Sequence, residues 1–371
     1  MRVLLISPSP ELPGGIARWT KHVLNYYEEH KESCKLDYLC ATQCEYSVKR
    51  NYFYRFYVGI LNYVQVIFKF RSRLLQLHYD VVHITTSASI SLLKDLCLIN
   101  IAKYYNVKSI VHFRFGRIPE LVEKKNWEWK LLKRVVCQAD VVITLDIRSY
   151  VALVSMGFKN VENLPNPLSN NILKNIERNN SVIVQSRRIV FVGQMLETKG
   201  VYELVKVCSE IPDIKLEMYG AIPDGMRNKL LRVAGINAEN WLDIVGEIDY
   251  DLVINKMMAC SVFVLPTYSE GFPNVILESM ACGCAIVASN VGAIPEMLAV
   301  DSQRPCGICI EPRNKIELKK AIEFVLDHPD IAREYGERAK ERVFNEFQKA
   351  LASKKPSRFF EVLKKANVLD V

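Results

Sequence analysis

The sequence lacks any long apolar run, and this absence limits what the protein can be. No stretch of about 18 consecutive apolar residues occurs, so we expect no segment to span a membrane. The N-terminal MRVLLISPSP has an apolar run too short for a signal peptide and is typical of a first β-strand. Repeats at solenoid periods and low-complexity segments are also missing, which excludes repeat architectures.

Metal and dinucleotide motifs are scarce too. The 11 cysteines are scattered, and the single CxxC pair, Cys306 and Cys309, has neither a second pair nor a histidine at zinc spacing. The glycine turn after the first strand is not GxGxxG, which weakens a nicotinamide or flavin interpretation. We therefore expect no metal, no cofactor, and reduced, structural cysteines in a cytoplasmic protein.

Acidic residues are under-represented in the first half of the chain. The length of 371 residues favours two domains of about 150–190 residues each. Residues 1–167 carry 23 Lys+Arg and 14 Asp+Glu, a net charge of +9, whereas residues 168–371 carry 26 and 27, a net charge of −1. Any anionic partner is therefore expected to meet the first half.

Short apolar runs alternate with helical patterns along the chain. This alternation is typical of parallel strands that helices cover on both faces. Prolines and asparagines cluster in NLPNPLSNNI, the composition of a linker. We predict an α/β protein with two Rossmann-like αβα domains facing a central cleft. The predicted segments are an N-terminal domain, 1–167, a C-terminal domain, 168–350, and a helical tail, 351–371, that could pack back on the first domain.

Two glycine turns follow predicted strands. Gly14 and Gly15 precede a helix, where bare backbone and the helix N-terminus can hold a phosphate; the alternative is a plain βα turn. In FVGQMLETKG, Gly193 ends a strand, and Lys199 follows Gln194 within one loop. Lys199 could reach a phosphate in the cleft or remain a solvated loop lysine.

The stretch EGFPNVILE places Glu270 and Glu278 between strongly apolar flanks. Gly271 and Pro273 favour a loop, so we expect a helix to begin near Asn274, with Asn274 as its N-cap. Both carboxylates could then face one cleft and accept hydrogen bonds from sugar hydroxyls. The alternative is a surface pair, which the apolar flanks disfavour because a buried charge needs a partner. The loop N–H groups that can bind oxygens belong to Gly271, Phe272, Asn274 and Val275.

His112 closes the predicted strand KSIVHFRF at its carboxyl end, where ligands of this fold bind, with Arg114 and Arg117 nearby. A lone histidine is more often structural than functional, and both interpretations stay open for His112. His83, inside YDVVHITT, is interpreted as structural.

Together these motifs resemble the retaining, family-4 type glycosyltransferases of GT-B architecture. Glu270 to Glu278 resembles the E-x7-E motif of that family, and FVGQMLETKG resembles its G-R-L-x-x-x-K-G segment. PGGIARW is similar to its N-terminal glycine loop, and NLPNP to its junction between domains. The resemblance covers most of the chain and is strongest over residues 189–298.

The resemblance implies a role for each matching residue. Glu270 and the N–H groups after it would hold hydroxyls of the transferred sugar, and Glu278 would bind the ribose. Lys199 would neutralise the diphosphate of a UDP- or GDP-sugar, and Gly15 would let the backbone approach it. His112 would lie beside the sugar. The resemblance also implies transfer without a metal ion.

One position departs from the family pattern. Gln194 stands where the family usually has arginine, and a neutral amide cannot supply the missing charge. Lys199 would therefore act alone or with a nearby arginine. The candidates are Arg114, Arg117, Arg187 and Arg188.

Residues 46–79 contain no acidic residue but many cations and aromatic side chains. Such a segment is typical of a membrane interface beside anionic lipid; the alternative is a helix and loop packed on the first domain with a solvated basic edge. The cations are Lys49, Arg50, Arg55, Lys69, Arg71 and Arg73, and the aromatic residues are Tyr52, Phe53, Tyr54, Phe56, Tyr57, Tyr63, Phe68 and Phe70.

We therefore expect a retaining hexosyl- or N-acetylhexosaminyltransferase. Its acceptor would be a saccharide or a polyprenyl-diphosphate-linked saccharide in bacterial surface polysaccharide or glycolipid assembly, at the inner face of the cytoplasmic membrane. Nucleic acid is the other anionic candidate, but no recognition motif supports it. Two alternatives remain: a GT-B-like nucleotide-sugar epimerase, and a catalytically weak sugar-nucleotide-binding partner protein, which Gln194 keeps open.

Overall fold

The computed structural model describes residues 1–12, 14–29, 35–42, 52–166, 168, 170–179 and 183–347. The chain divides into two compact units: the first contains Met1–Asn166 and the second lies within Pro167–Ala352. The predicted tail, 351–371, and the start of the basic aromatic segment, 46–51, lie outside the described residues.

The first unit is built on a six-stranded parallel sheet with the order β2-β1-β3-β4-β5-β6. The chain leaves β1 toward one edge and returns to β3 on the other side, so the topological switch point lies between β1 and β3. The strands are β1 (Arg2–Ser7), β2 (Lys35–Cys40), β3 (Val81–Thr86), β4 (Lys108–Phe113), β5 (Val141–Thr144) and β6 (Val161–Asn163).

Helices cover both faces of this sheet. Alternate residues of each central strand point to opposite faces, so one core forms against α1 and a larger one against the helices on the other side. Asn126 and Asp146 cap two of these helices by accepting a backbone N–H. The helices are α1 (Gly15–Glu29), α2 (Tyr52–Gln76), α3 (Ser91–Tyr104), α4 (Ile118–Lys124), α5 (Trp127–Gln138) and α6 (Ile147–Ser155).

The second unit has its own six-stranded parallel sheet, with the order β12-β11-β10-β7-β8-β9. Its switch point lies between β7 and β10, which pair directly. The two parallel α/β units expected from the sequence are confirmed. The strands are β7 (Arg188–Val192), β8 (Lys215–Tyr219), β9 (Leu242–Gly246), β10 (Val262–Leu265), β11 (Ile286–Ser289) and β12 (Ile308–Ile310).

Short helices connect these strands, and none of the described helices of either unit is long and apolar enough to cross a membrane. A 3-10 turn, Glu197–Lys199, precedes α8, and a π turn, Val343–Phe347, follows α15. The helices are α7 (Asn170–Arg178), α8 (Val201–Cys208), α9 (Met226–Ala234), α10 (Ala238–Trp241), α11 (Tyr250–Met258), α12 (Asn274–Ala281), α13 (Ile294–Met297), α14 (Lys315–Asp327) and α15 (Pro329–Arg342).

Gly200 allows the 3-10 turn to approach β10. It is the N-cap of α8 with a φ of 69°, and a Cβ added there would lie 2.0 Å from the carbonyl oxygen of Pro266. Gly225 is the N-cap of α9 with a φ of 74°, but a Cβ added there would meet nothing within 4 Å. The two glycines therefore separate the cost of a left-handed backbone from the cost of a clash.

We expect Gly225→Ala to cost about 1–2 kcal/mol, the strain of a left-handed alanine. Gly200→Ala should lower the melting temperature at least twice as much, because the same strain is joined by the clash with Pro266. Thermal unfolding of the two variants side by side tests this. Equal shifts would show that the chain near Pro266 moves away without cost.

Candidate functional site

The loops that follow β7 and β10 meet at the carboxyl edge of the second sheet. Since these strands are neighbours, Gly193 and Gln194 at the end of β7 lie beside the loop formed by residues 266–273. The N–H of Tyr268 donates to the carbonyl oxygen of Thr198 at 2.8 Å, and the hydroxyl of Thr267 donates to the same oxygen at 3.3 Å. Two motifs far apart in sequence therefore form one surface at the switch point.

Lys199 and Glu270 form the centre of this surface. The ammonium of Lys199 donates a hydrogen bond to Oε1 of Glu270, and the two side chains are 23% and 19% exposed. The pair is shielded from most of the solvent yet remains accessible to a ligand. A phosphate bound there would share the ammonium with Glu270, so the carboxylate sets both the position and the available charge of Lys199.

The backbone of Gly292 holds the loop that carries Glu270. A Cβ added at Gly292 would lie 2.2 Å from the carbonyl oxygen of Glu270, and the N–H of Ala293 donates to the carbonyl of Gly271 at 2.8 Å. Phe272 is buried and packs edge-on against Phe347, with ring centroids 5.9 Å apart. The loop is thus fixed on both sides before any ligand binds.

Helix α12 begins at Asn274, as expected, but its N-cap is Pro273 rather than Asn274. Pro273 is the last residue with an extended backbone, φ −73° and ψ 113°, so Asn274 and Val275 already lie in the first turn. Glu278 lies one turn further on and is 3% exposed. The structure therefore places both glutamates of EGFPNVILE on one loop–helix junction, Glu270 partly open and Glu278 buried.

Arg313 and Tyr268 lie beside this junction and were not singled out by the sequence. The guanidinium of exposed Arg313 stacks over the ring of Tyr268, 4.4 Å from its centroid. The hydroxyl of Tyr268 donates to Glu203 at 2.8 Å, and burial, followed by this carboxylate, raises the pKa of Tyr268 to about 12. Arg313 follows β12, 43 residues after Glu270, and no local pattern connects the two segments.

Two of the arginines considered as substitutes for Gln194 lie at the wrong end of β7. Arg188 is the first residue of the strand, about 13 Å from its last residue, and donates to Glu217 at 3.2 Å. Arg187 donates to Asp327 at 3.0 Å. Neither can therefore assist a ligand at the carboxyl edge, and this hypothesis is wrong for both.

Among the described residues, no group of three or more His, Cys, Asp or Glu side chains is placed to hold a metal ion. Asp249 and Asp251 have DxD spacing, but Asp249 caps α11 by accepting the N–H of Asp251 at 2.9 Å. This local bond accounts for the spacing.

In the first unit, His112 belongs to a buried aromatic cluster at the carboxyl edge of the sheet. Its ring stacks on that of His83, with centroids 5.5 Å apart, and Trp19 packs edge-on against both histidines. Nη1 of Arg114 lies 3.2 Å from Nε2 of His112, and the Arg114 guanidinium stacks over Trp19. The sequence analysis considered His83 and His112 separately, but in the structure both belong to one cluster around Arg114.

Electrostatics keep both histidines neutral. Burial, then the charge of Arg114, holds the pKa of His112 well below its usual range and lowers the pKa of His83 to about 3. Burial lowers the pKa of Arg114 to about 9, so it stays cationic at neutral pH. Because a guanidinium only donates, Nε2 of His112 accepts and Nδ1 carries the proton. That Nδ1 is buried without a partner among the described residues.

The glycine turn after β1 lies above a chain of hydroxyl groups. Gly14 has a φ of 127°, α1 begins at Gly15, and a Cβ added at either position would meet nothing within 4 Å. Below the turn, Ser7 lies 2.6 Å from the hydroxyl of Thr20 and accepts a hydrogen bond from Thr85 at 2.8 Å. The open turn is compatible with a phosphate and with a plain βα connection, so both interpretations stay open.

Glu128 holds the β3–α3 loop in an uncommon conformation, which the sequence did not indicate. Ala88 and Ser89 have φ values of 68° and 61°, although neither is glycine. Buried Glu128 accepts the N–H of Ser89 at 2.8 Å and both Nη atoms of Arg117 at 2.8 and 2.6 Å. Arg117 is therefore committed to this loop, which leaves Arg114 as the candidate cation of the first unit.

Residues 174–342 match the family model described as glycosyl transferases group 1, and this segment contains Lys199, Glu270 and Glu278. A second model, described as a probable RNA- and SrmB-binding site of polymerase A, matches residues 336–371. Of that match, residues 348–371 lie outside the described residues, and the rest forms the end of α15 and the π turn.

Curated relatives include proteins named as glycosyltransferases and as synthases. The chain is 32% identical over 171 residues to an α-maltose-1-phosphate synthase of Mycolicibacterium smegmatis, covering 43% of each chain. It is 24% identical over 309 residues to an uncharacterized glycosyltransferase of Haemophilus influenzae, covering 80% of this chain and 78% of the relative. The chain spans less than half the length of several curated relatives that it matches.

Solved structures show the fold. A sucrose-phosphate synthase of Thermosynechococcus elongatus superposes with a TM-score of 0.72 at 18% identity, covering 99% of this chain and 98% of that chain. The Anabaena protein HepE, in complex with UDP-glucose, superposes with a TM-score of 0.65 at 14% identity, covering 99% and 98%. The GT-B fold and the resemblance to glycosyltransferases are confirmed.

Acid should destabilise the histidine cluster. In the unfolded chain His83 and His112 titrate near pH 6.5, whereas in the folded protein they stay neutral to much lower pH, so the unfolded state binds more protons below pH 6.5. The contribution of these histidines to the free energy of unfolding is complete above pH 6.5. Lowering the pH from 7.5 to 5 reduces that free energy by about 2 kcal/mol per histidine. We expect the melting temperature to fall over this range.

The His83→Gln, His112→Gln double variant should lose most of this pH dependence, measured by thermal unfolding at pH 5 to 7.5. His78→Gln, which changes an exposed histidine of the same unit, should retain it. An unchanged slope in the double variant would assign the pH dependence to other groups.

Proposed function

We propose that the chain transfers a sugar from a nucleotide-diphosphate sugar to a saccharide or lipid-linked saccharide, with retention of configuration. The match of residues 174–342 to the model of glycosyl transferases group 1 supports this proposal. The observation that carries this proposal is the Lys199–Glu270 pair at the switch point, directly ahead of the N-terminus of α12. The complex of HepE with UDP-glucose supports a donor of this class, a UDP- or GDP-sugar.

Each residue at the switch point has a proposed task. Glu270 and the backbone from Gly271 to Val275 hold hydroxyls of the sugar, and Glu278 binds the ribose. Lys199, with Gly193 and Gln194, receives the diphosphate. Three residues of the first unit complete the proposal: His112 beside the sugar, and Gly14 and Gly15 beside the phosphates.

The proposed chemistry follows from where charge develops. As the anomeric bond breaks, the leaving nucleotide diphosphate gains negative charge, which Lys199 and the N-terminus of α12 stabilise. Contacts to the nucleotide hold the sugar in position for attack by the acceptor from the face that the diphosphate leaves. Neither glutamate acts as a nucleophile, and Lys199 takes the place of a metal ion.

The proposed acceptor is a saccharide or polyprenyl-diphosphate-linked saccharide of bacterial surface polysaccharide or glycolipid assembly. The positive charge of the first half of the chain supports an anionic, lipid-linked acceptor. We therefore place the protein at the inner face of the cytoplasmic membrane, in peripheral contact with it. Gln194 supports one competing function, a catalytically weak sugar-nucleotide-binding protein, because it leaves the diphosphate with fewer cations.

Lys199→Met and Glu270→Ala should each lower sugar transfer by about 100-fold or more, because each removes a charged group at the reacting end of the donor. Transfer is measured from a labelled nucleotide sugar to a membrane extract. Lys206→Met and Glu210→Ala are matched controls, since these residues form an exposed ion pair on and just beyond α8. Full transfer by Glu270→Ala would refute the site assignment, and absence of transfer by the unaltered protein that still binds UDP would favour the binding protein.

Gln194→Arg should strengthen UDP binding by about tenfold, because a hydrogen bond to a charged group is worth about 1.5–3 kcal/mol. Isothermal titration calorimetry with UDP measures it. Gln185→Arg makes the same charge change ahead of β7, at the opposite end of the strand, and should leave the affinity unchanged. Equal affinity in both variants would place the diphosphate away from Gln194.

A further inference from the structure

One face of the first unit presents a surface formed by three helices. Helix α2 connects β2 to β3, α3 connects β3 to β4, and α5 lies in the connection from β4 to β5. These connections run in the same direction across the sheet, so the three helices lie on the same face. They pack on one another in that order and share one buried core, while α1 covers the opposite face. We call the outer surface of residues 58–76, 91–104 and 127–138 the three-helix face.

Helix α2 has a second apolar stripe that does not face the core. Val66 and Phe70 are buried against the sheet. Leu61, Val64, Phe68 and Leu75 follow one another at intervals of three, four and seven residues, which puts them on one stripe of a 3.6-residue helix. They are 42%, 43%, 67% and 67% exposed.

Helix α3 repeats this arrangement. Its inner side buries Leu98, Ile99 and Ala102. On its outer side Leu93, Cys97 and Tyr104 follow at intervals of four and seven residues, and all three are exposed. The face therefore has two neighbouring apolar stripes directed to the solvent, with exposed Trp127 at the start of α5.

The exposed charges of the three-helix face have one sign. Both carboxylates among its described side chains are buried and paired: Asp95 with Lys94 at 3.1 Å, and Glu128 with Arg117. Every exposed Lys, Arg, Asp or Glu side chain on the described parts of these helices is a cation. These are Lys69, Arg71, Lys103, Lys130, Lys133 and Arg134.

We propose that the three-helix face docks on an anionic lipid bilayer, with the stripes of α2 and α3 entering the interface and the six cations meeting lipid phosphates. This rests on the membrane contact in the proposed function, and it extends that contact from one sequence segment to three helices. Apolar stripes flanked by cations are the arrangement that binds headgroups and acyl chains together. A second copy of the chain would bring cations against cations, and a nucleic acid backbone would leave the stripes in water.

The test is co-sedimentation of the full chain with phosphatidylcholine vesicles that contain or lack phosphatidylglycerol. Each cation near an anionic surface contributes about fivefold in binding, so the Lys130→Gln, Lys133→Gln, Arg134→Gln variant should bind anionic vesicles about 100-fold more weakly at low salt. The Arg227→Gln, Lys229→Gln, Arg232→Gln variant changes three exposed cations of α9 in the second unit and should bind as the unaltered protein does.

A second pair of variants tests the apolar stripes. Phe68→Ser with Leu93→Ser removes one exposed side chain from each stripe and should weaken binding at least tenfold without changing the charge, since acyl-chain contact scales with apolar area. Ile236→Ser, at a fully exposed position of the second unit, is the matched control. All of these positions are exposed, and melting temperatures within a few degrees verify that the variants fold.

Three outcomes would overturn the proposal. The unaltered protein could fail to bind anionic vesicles at low salt, the control variants could lose as much binding as the face variants, or the face variants could dissociate a dimer in sedimentation analysis. UDP binding by the same variants separates this from the donor site. If the face variants lose vesicle binding and keep normal UDP affinity, the result bears only on the three-helix face. If Lys199→Met loses UDP affinity, the result bears only on the donor site of the proposed function.

Discussion

The contact between Lys199 and Glu270 is the interaction on which the candidate site depends. The two residues reach each other because β7 and β10 are neighbours in the sheet, although Lys199 and Glu270 are 71 residues apart in the chain. Gly200 and Gly292 keep the two loops close, since a side chain at either position would collide with backbone carbonyl oxygens. Backbone packing thus fixes the pair, so a ligand loses little binding free energy in ordering it.

This pair also limits the charge available to an anion. Lys199 already donates to a carboxylate, and Gln194 adds no charge. The arginines at the start of β7 are held by Glu217 and Asp327 at the far end of the strand. A diphosphate therefore depends on backbone N–H groups and on the N-terminus of α12 more than it would in a site with two free cations. Arg313, exposed and stacked on Tyr268 beside the same junction, is a further cation that a ligand bound there could meet.

The candidate cation of the first unit, Arg114, has different electrostatic surroundings. Among the described residues, Arg114 is buried with aromatic rings and two neutral histidines rather than with a carboxylate. Burial, followed by the charge of Arg114, lowers the pKa of both histidines, and the rings offer lone pairs and π faces in place of a counter-ion. A cation without a carboxylate partner keeps its field for an incoming anion, so the cluster is better suited to a ligand than Arg117, which Glu128 already neutralises.

Sequence patterns located the central strands and the glutamate loop because those features are local. Apolar runs identified β1, β3, β4, β5, β7, β8, β9, β10 and β11, whereas three edge strands, β2, β6 and β12, escaped because KLDYLC, VEN and ICI are short or mixed in polarity. The charged pattern over residues 316–347 reads as one helix, but Pro329 cannot donate an N–H, and a new helix starts there after His328.

The features that sequence reasoning missed come from contacts between distant segments. Glu128 acts on a loop 39 residues earlier, and nothing near it in the chain indicates that task. The same holds for α3, because only the fold shows that Leu93, Cys97 and Tyr104 lie on one side of this helix and face the solvent. The proposed membrane contact would cover this outer side of α3, and the cations of the three-helix face, which has no exposed carboxylate among its described residues, would meet the lipid phosphates.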